Sequence, residues 1–277
     1  MSTLSGSVTL GEAVSVSGQA EGFAAGVTGG GSSEPQYTSN INKSSLLITA
    51  TWYTAALKAL EVASNKTIIS VGESGVIKGK GLSFTNGASN IIIQNIQIDH
   101  ITTARTGRQH HIFGFQTNTR VTLSNNYIDG DTPYSTGCDR YTYWIFKIEG
   151  FDDQITLQNN YIYKTSGRSP ALSSSTLLHT VNNIWYLNNG HALEGGNTII
   201  RDYNSRLFDT PDLSTADDCE CALSRTCEVN ILTGSGSLTS YTNTSFFSDF
   251  SDLTIAPATS ASKAEKNVPN NAGISKL

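Results

Sequence analysis

Clusters of basic residues are missing from this 277-residue chain, in which 18 Lys and Arg stand against 23 Asp and Glu for a net charge of −5. Without a block of Lys and Arg to neutralise phosphates, no nucleic-acid partner is expected. Long apolar runs are missing too. None approaches the roughly 20 residues that cross a bilayer, so no membrane partner is expected. The Met1-Ser2-Thr3 start has neither a basic n-region nor an apolar h-region, and no signal peptide is visible there. Proline is scarce, at 6 residues, and only 15% of residues are charged, while glycine reaches 25. Four cysteines remain: Cys138, Cys219, Cys221 and Cys227. Three of them lie close together, but no His stands nearby and the spacing is not a usual zinc spacing. A disulfide-closed loop is the plainer reading and a metal knuckle the other. Asn42-Lys43-Ser44, Asn65-Lys66-Thr67 and Asn243-Thr244-Ser245 match the glycan-acceptor pattern.

What is present is repetition. The pattern Leu-x-Asn-Asn-Tyr-Ile occurs at Leu123–Ile128 and again at Leu157–Ile162. From Ser64 to about Tyr186 run short, branched, apolar segments: Thr67–Val71, Ile91–Ile96, Val121–Leu123, Ile155–Leu157 and Asn183–Trp185. Each follows a small polar turn, the signature of brief strands. Intervals of about 20 to 35 residues with several strands per repeat point to a solenoid of parallel coils. Asn95, Asn126, Asn160 and Asn183 recur after their strands. There they are expected to take left-handed turns and to hydrogen-bond their equivalents one coil away. Tyr127 and Tyr161 are expected to stack about 4.8 Å apart, one strand spacing. Ala55–Glu61 is helical in propensity and is expected to cap the first coil. The tail, 254–277, rich in Ser, Ala, Asn and Lys, is expected to be irregular. One domain over 1–277 accommodates all of this, with its clearest coils at 64–186.

Chemistry enters through two arginine-bearing segments, Thr102–His110 and Thr165–Pro170, each adjoining one of the repeats. Arg108 and Arg168 are 60 residues apart, or about two coils. That places them only about 5–10 Å apart along the axis. Two guanidinium groups over one sugar unit are suited to the enolate-like charge that forms when a proton is taken beside a carboxyl group. The other reading is surface arginines on turns. A glycoside hydrolase needs paired carboxylates instead. Asp129 and Asp131 are the nearest approach to a pair, with Asp139, Asp152 and Asp153 also weighed. His110, His111, His179 and His191 show no metal spacing and read as structural or as subsite contacts. In Tyr141-Thr142-Tyr143-Trp144, strand alternation sets Tyr141 and Tyr143 on one face and Trp144 on the other.

These motifs resemble those of a known family. Ala20–Ala24 with Gly26–Gly31, Ser64–Lys66 with Gly79–Leu82, Asn90–Ile96, Ile98–His100 through His110, and Asn125–Gly130 carry the resemblance. Tyr143-Trp144, Ser166–Pro170 and Thr176–His179 extend it, and it ends near Phe246–Phe250. Together they are similar to the fungal pectin lyases, within the pectate lyase superfamily of right-handed parallel β-helices. The implied fold is all-β: a right-handed parallel β-helix with a short N-terminal helical cap and an irregular C-terminal tail. The implied activity is β-elimination on methyl-esterified polygalacturonan (pectin), giving unsaturated galacturonide ends. By resemblance Arg168 takes the place of the arginine that removes the C5 proton, Arg108 that of a second cleft arginine, and Tyr143 with Trp144 the aromatic wall. Arginine is ordinarily a permanent cation, and acts as a base only where like charge or burial weakens its hold on the proton. Arg108 supplies like charge, and an ester acidifies the neighbouring C–H.

The resemblance further implies secretion, a monomer, no calcium or other cofactor, and a disulfide between Cys219 and Cys227. Three departures accompany it. The intervening coil that carries a further family aspartate has no counterpart, Ala171 stands where the family has lysine, and Cys138 lacks its usual partner. A pectin-binding protein of impaired activity, or a hydrolase on the same solenoid, are the alternatives.

Overall fold

The computed structural model describes residues 22–26, 28, 36–37, 45–48, 51–53, 60–70, 76–78, 82–84, 87–94, 107–114, 116–172, 175–190, 192–195, 220, 224–225, 228, 230–231, 233 and 245–273. Their strands form ladders in which every pairing is parallel. Gln36–Tyr37, Ser45–Ile48, Lys66–Ser70, Ile91–Gln94, Val121–Ser124, Gln154–Gln158 and Leu177–Val181 make a seven-stranded sheet, in that order. Leu60–Glu61, Leu82–Phe84, His111–Phe113, Phe146–Ile148, Ala171–Leu172 and Glu194–Gly195 make a six-stranded sheet. Tyr127–Asp129, Tyr161–Tyr163 and Ile184–Tyr186 make a third, and Thr51–Tyr53 pairs with Val76–Lys78. Spatial order follows chain order in all of them. Each coil therefore lies on the one before it, and the molecule is a parallel β-helix.

The interior is filled by residues that recur at matching register. Val121, between Ile91 and Ile155, and Leu123, stacked on Leu157, are fully buried, as are Ile128 and Ile162. Phe113 and Ile148 fill the corresponding column of the six-stranded sheet. Each such side chain contributes roughly 2 kcal/mol by leaving water.

The asparagine ladder is present, with a division of labour between neighbours. Asn160 Oδ1 accepts from Asn126 N at 3.1 Å and Asn126 Nδ2 at 2.9 Å, and Asn183 Oδ1 accepts from Asn160 N and Nδ2, both at 2.9 Å. The left-handed backbone expected at these residues falls one place earlier, at Asn125, Asn159 and Asn182, with φ of 57°, 54° and 55°. The first asparagine turns the chain and the second, buried, ties the coils. Asn95 lies outside the described residues. Tyr127 and Tyr161 stack with centroids 5.1 Å apart.

Two expectations are corrected. Within Ala55–Glu61, Leu60 and Glu61 are strand residues paired with Leu82 and Ser83, and 55–59 lie outside the described residues. A waiting parallel neighbour outweighs local helix propensity. The tail, in turn, is not irregular: Ala261–Asn271 is an α-helix. Its buried Ala261, Ala264 and Val268 form a stripe at helical spacing, and the last two pack with Ile184 and Tyr161 on the third sheet. No described helix is long and apolar enough to cross a membrane. Cys138 is free and exposed, whereas Cys219, Cys221 and Cys227 lie outside the described residues, as do Asn42 and Asn243.

The outer face of the seven-stranded sheet is covered over Val121–Ser124 and Gln154–Gln158. Thr67, Thr122, Thr156 and His179 point away from the core yet are buried. Over them sits the turn Gly22–Ala24, whose Phe23 N–H donates to Thr156 Oγ1 at 3.0 Å. The Phe23 ring lies 5.5 Å from Phe250 and 6.0 Å from His179.

Candidate active site

The site is assembled on the approaches to consecutive strands of the six-stranded sheet. Arg108 precedes His111–Phe113, Tyr143 and Trp144 precede Phe146–Ile148, and Arg168 precedes Ala171–Leu172. The two arginines are thus two coils apart with the Trp144 coil between them. The Trp144 ring fills that interval: the guanidinium carbon of Arg108 lies 5.2 Å from its centroid and that of Arg168 4.9 Å. Both distances are within cation–π range. Arg168 also covers the Tyr143 ring at 4.7 Å, and its Nη1 donates to the Tyr143 hydroxyl. The structure therefore brings together all four residues expected from the sequence.

Tyr143 and Trp144 do not alternate as expected. Their rings meet edge to face at 6.4 Å, and both touch Arg168. The segment 141–145 makes two single bridges rather than a strand, so the period of two does not apply. Tyr141 lies elsewhere, with Lys164 6.0 Å from its ring. The indole N–H of Trp144 is buried without a hydrogen-bond partner, an unmet donor that costs about 1–3 kcal/mol.

Arg168 itself is in the left-handed region at φ 52°, directly after Gly167 at φ 116°. A non-glycine residue there is strained, and the surroundings hold it in place. Its carbonyl accepts from Ile145 N at 3.2 Å, Ser169 N donates to Ala192 O at 2.7 Å, and the buried Trp185 indole donates to Ser169 O at 2.8 Å. Gly190, at φ 99°, comes so close that a Cβ on it would stand 2.9 Å from Ser166 O.

Two charged neighbours of these residues escaped the sequence reading. Glu194 Oε1 accepts from Arg168 Nε at 3.1 Å and lies 3.1 Å from Nη2. Lys147, in register with Ala171 on the outer face, puts its ammonium 5.4 Å from the Trp144 centroid and 2.8 Å from Glu149. Only the register, which a sequence does not print, shows them. Three cations and two carboxylates thus surround the indole, and among the described residues Arg108 is the cation without a carboxylate partner. A chain of net charge −5 here carries a small positive excess.

The remaining candidates are structural. His110 is buried, and burial lowers its pKa from 6.5 to about 3. Because Thr142 Oγ1 donates to Gly130 O at 3.1 Å, His110 Nε2, 3.0 Å away, is the donor to that hydroxyl. His111, also held neutral by burial, stacks on Phe146 at 5.1 Å. His179 is brought down to about 3 by burial and by Arg225. His191 lies outside the described residues. The carboxylates weighed for a hydrolytic pair are each engaged by local partners. Asp129 accepts from Asp131 N at 2.8 Å, Asp131 is held by Lys164 at 3.0 Å and Arg140 at 3.4 Å, and Asp139 accepts from Ser135 Oγ at 2.7 Å. Asp152 binds Ser175 Oγ at 2.6 Å, and Asp153 accepts from Asn118 N at 2.7 Å and Gly150 N at 3.0 Å. Among the described residues no cluster of His, Cys, Asp and Glu is placed to hold a metal ion.

No protein-family model matches the chain. The chain is 50% identical over 365 residues to a probable pectin lyase A of Aspergillus flavus, covering 99% of this chain and 97% of that protein. A probable pectin lyase C of Aspergillus oryzae gives the same figures, and one of Emericella nidulans is 37% identical over 364 residues, covering 98% of both. With 365 aligned positions against 277 residues, at least 88 positions of the Aspergillus flavus relative meet an internal gap here. Among solved structures, a pectate lyase of Xanthomonas campestris aligns with a TM-score of 0.56 at 14% identity, covering 93% of this chain and 98% of that one. A pectate lyase of a Bacillus species, in complex with trigalacturonate, gives 0.50 at 13% identity over 83% of this chain and 85% of its own. These two share the parallel β-helix, and identity of one half across nearly the whole of both sequences decides the rest: the chain belongs to the fungal pectin lyase family.

Proposed function

We propose that this protein is a polysaccharide lyase of the pectin lyase type. It cleaves methyl-esterified polygalacturonan by β-elimination and leaves a 4,5-unsaturated uronide at the new end. Arg168 is the base that takes the C5 proton. Arg108 faces the charge that develops on the ester carbonyl, where a fixed cation contributes most in the transition state. Tyr143 and Trp144 bind the sugar rings. The observation that carries this reading is the convergence of two guanidinium groups, from coils two apart, on one indole ring.

The charge pattern favours an ester over a polyanion. Arg168 and Lys147 already have carboxylate partners at 3.1 and 2.8 Å, which leaves little positive charge to hold a carboxylate on every sugar. The reaction needs no hydrolytic water. The substrate is extracellular, and so is the proposed site of action, with residues 1–277 working as one domain in a monomer and Cys219 joined to Cys227.

Incubation with highly methylated pectin is expected to raise the ultraviolet absorbance of the unsaturated uronide. Arg168→Ala is expected to lower that rate by at least about 10³-fold while pectin binding persists. New reducing ends without ultraviolet absorbance would show hydrolysis instead, and tight binding with no product would show a pectin-binding protein.

A further inference from the structure

The outer face of the six-stranded sheet adjoins Arg168 and Trp144, and register sets its side chains in a column. Ile112, Lys147, Ala171 and Glu194 hold the same position on successive coils, about 4.8 Å apart along the axis. The alternate residues Phe113, Phe146, Ile148 and Leu172 are buried, so the column faces outwards. Ala171 is its shortest member, with a cation on one flank and a carboxylate on the other. Neither flank is a bare charge. Glu149 stands two residues beyond Lys147, on the same side of the chain, and its Oε2 lies 2.8 Å from the ammonium. Glu194 is held by Arg168 at 3.1 Å. With side-chain exposures of 22% and 23%, Lys147 and Glu149 are too enclosed for salt to screen them as it screens surface charges.

We propose that Glu149 makes this site select the methyl ester over the free acid, by engaging Lys147 and repelling a carboxylate set over Ala171. This deepens the lyase reading and rests on it. A galacturonate carboxylate at that place has Glu149 on one side and Glu194 on the other, and finds Lys147 already neutralised. A methyl ester at the same place brings no charge, meets no repulsion, and can rest on the methyl group of Ala171. Selectivity of this kind comes from what is refused rather than from what is held. Glu194 cannot be changed without releasing Arg168. Glu149 pairs with Lys147 alone among the described residues, so selectivity can be altered there by itself.

The probes are trigalacturonate and its trimethyl ester, with binding measured by titration calorimetry. Polygalacturonate and highly methylated pectin supply the rates, read from the ultraviolet absorbance of the unsaturated product. In Glu149→Gln, affinity for trigalacturonate relative to its ester is expected to rise about 5–20-fold, and kcat/KM on polygalacturonate relative to pectin to rise with it. Adding Lys147→Met to that variant removes the freed ammonium and is expected to cut the gain below about threefold. An unchanged relative affinity in Glu149→Gln, or a gain that survives in the double variant, overturns the proposal. Should Glu149→Gln fold poorly, Lys147→Met alone decides. It leaves Glu149 bare, so relative affinity for the acid must fall, and an equal or higher value overturns the proposal. A wild type that gives no unsaturated product from either polymer overturns the lyase reading instead, while the calorimetric comparison still decides the role of Glu149.

Discussion

At the scale of single residues, the site depends on holding one flexible guanidinium still. Arg168 has its backbone fixed by neighbouring coils and its Nε edge fixed by Glu194. Removing that anchor leaves a long side chain free to rotate over two rings. Glu194→Ala is expected to lower kcat on esterified pectin by about 10–100-fold, the cost of a misplaced reacting group, with KM changed less than about threefold. Glu194→Gln keeps an oxygen acceptor in the same place and is expected to recover most of the rate. Equal loss in the two variants would mean that charge, not aim, is what Glu194 supplies. That Arg108 and Arg168 meet was legible in the sequence, because two arginine motifs about two coils apart must meet once the coils stack, whereas Tyr143 and Trp144 were named beside them through the resemblance. Glu194 and Lys147 were not legible. They reach the site through register with Ala171, and register depends on coil lengths that vary along this chain.

At the scale of elements, the strands and their order were legible from branched apolar runs spaced by polar turns. The ladder was legible from recurring asparagines, although its left-handed residue was placed one position late. Two adjacent asparagines look alike in sequence, and only geometry says which turns and which ties. Asn160 is the middle rung: it accepts from two groups of Asn126 and donates to Asn183 Oδ1 and Leu123 O, the last at 2.9 Å. Asn160→Ala is expected to cost roughly 3 kcal/mol, since it strands a buried N–H and a buried carbonyl. Urea unfolding followed by circular dichroism measures this, and a loss under about 1 kcal/mol would show that water replaces the rung. The C-terminal helix was hidden for a different reason. Its stripe is made of alanines and one valine among polar residues, with Pro269 inside, which reads as a broken, solvated tail.

At the scale of the whole molecule, burial of neutral imidazoles sets the response to acid. Unfolded, His110 and His179 take up protons near pH 6.5, but folded only near pH 3. Acidification between those values therefore draws the chain towards the unfolded state. Asp153 works the other way. Burial raises its carboxyl from 3.8 to about 6, so acidification across that range favours the folded state. The shifts correspond to roughly 3 kcal/mol for Asp153 and roughly 5 kcal/mol for each of the two histidines. The histidines prevail. The melting temperature is expected to fall from pH 7 to pH 4, and a constant or rising value would contradict neutral burial of His110 and His179.

The ring contact between Phe23 and Phe250 carries one more implication, for the order in which the protein matures. Residues far apart in the chain roof the same threonine and histidine column. During synthesis, that column must stay wet until Phe250 has left the ribosome. A half-made chain has stacked coils but an open roof. Its vulnerable stage, to proteases and to sticking, comes after the coils have stacked, not before.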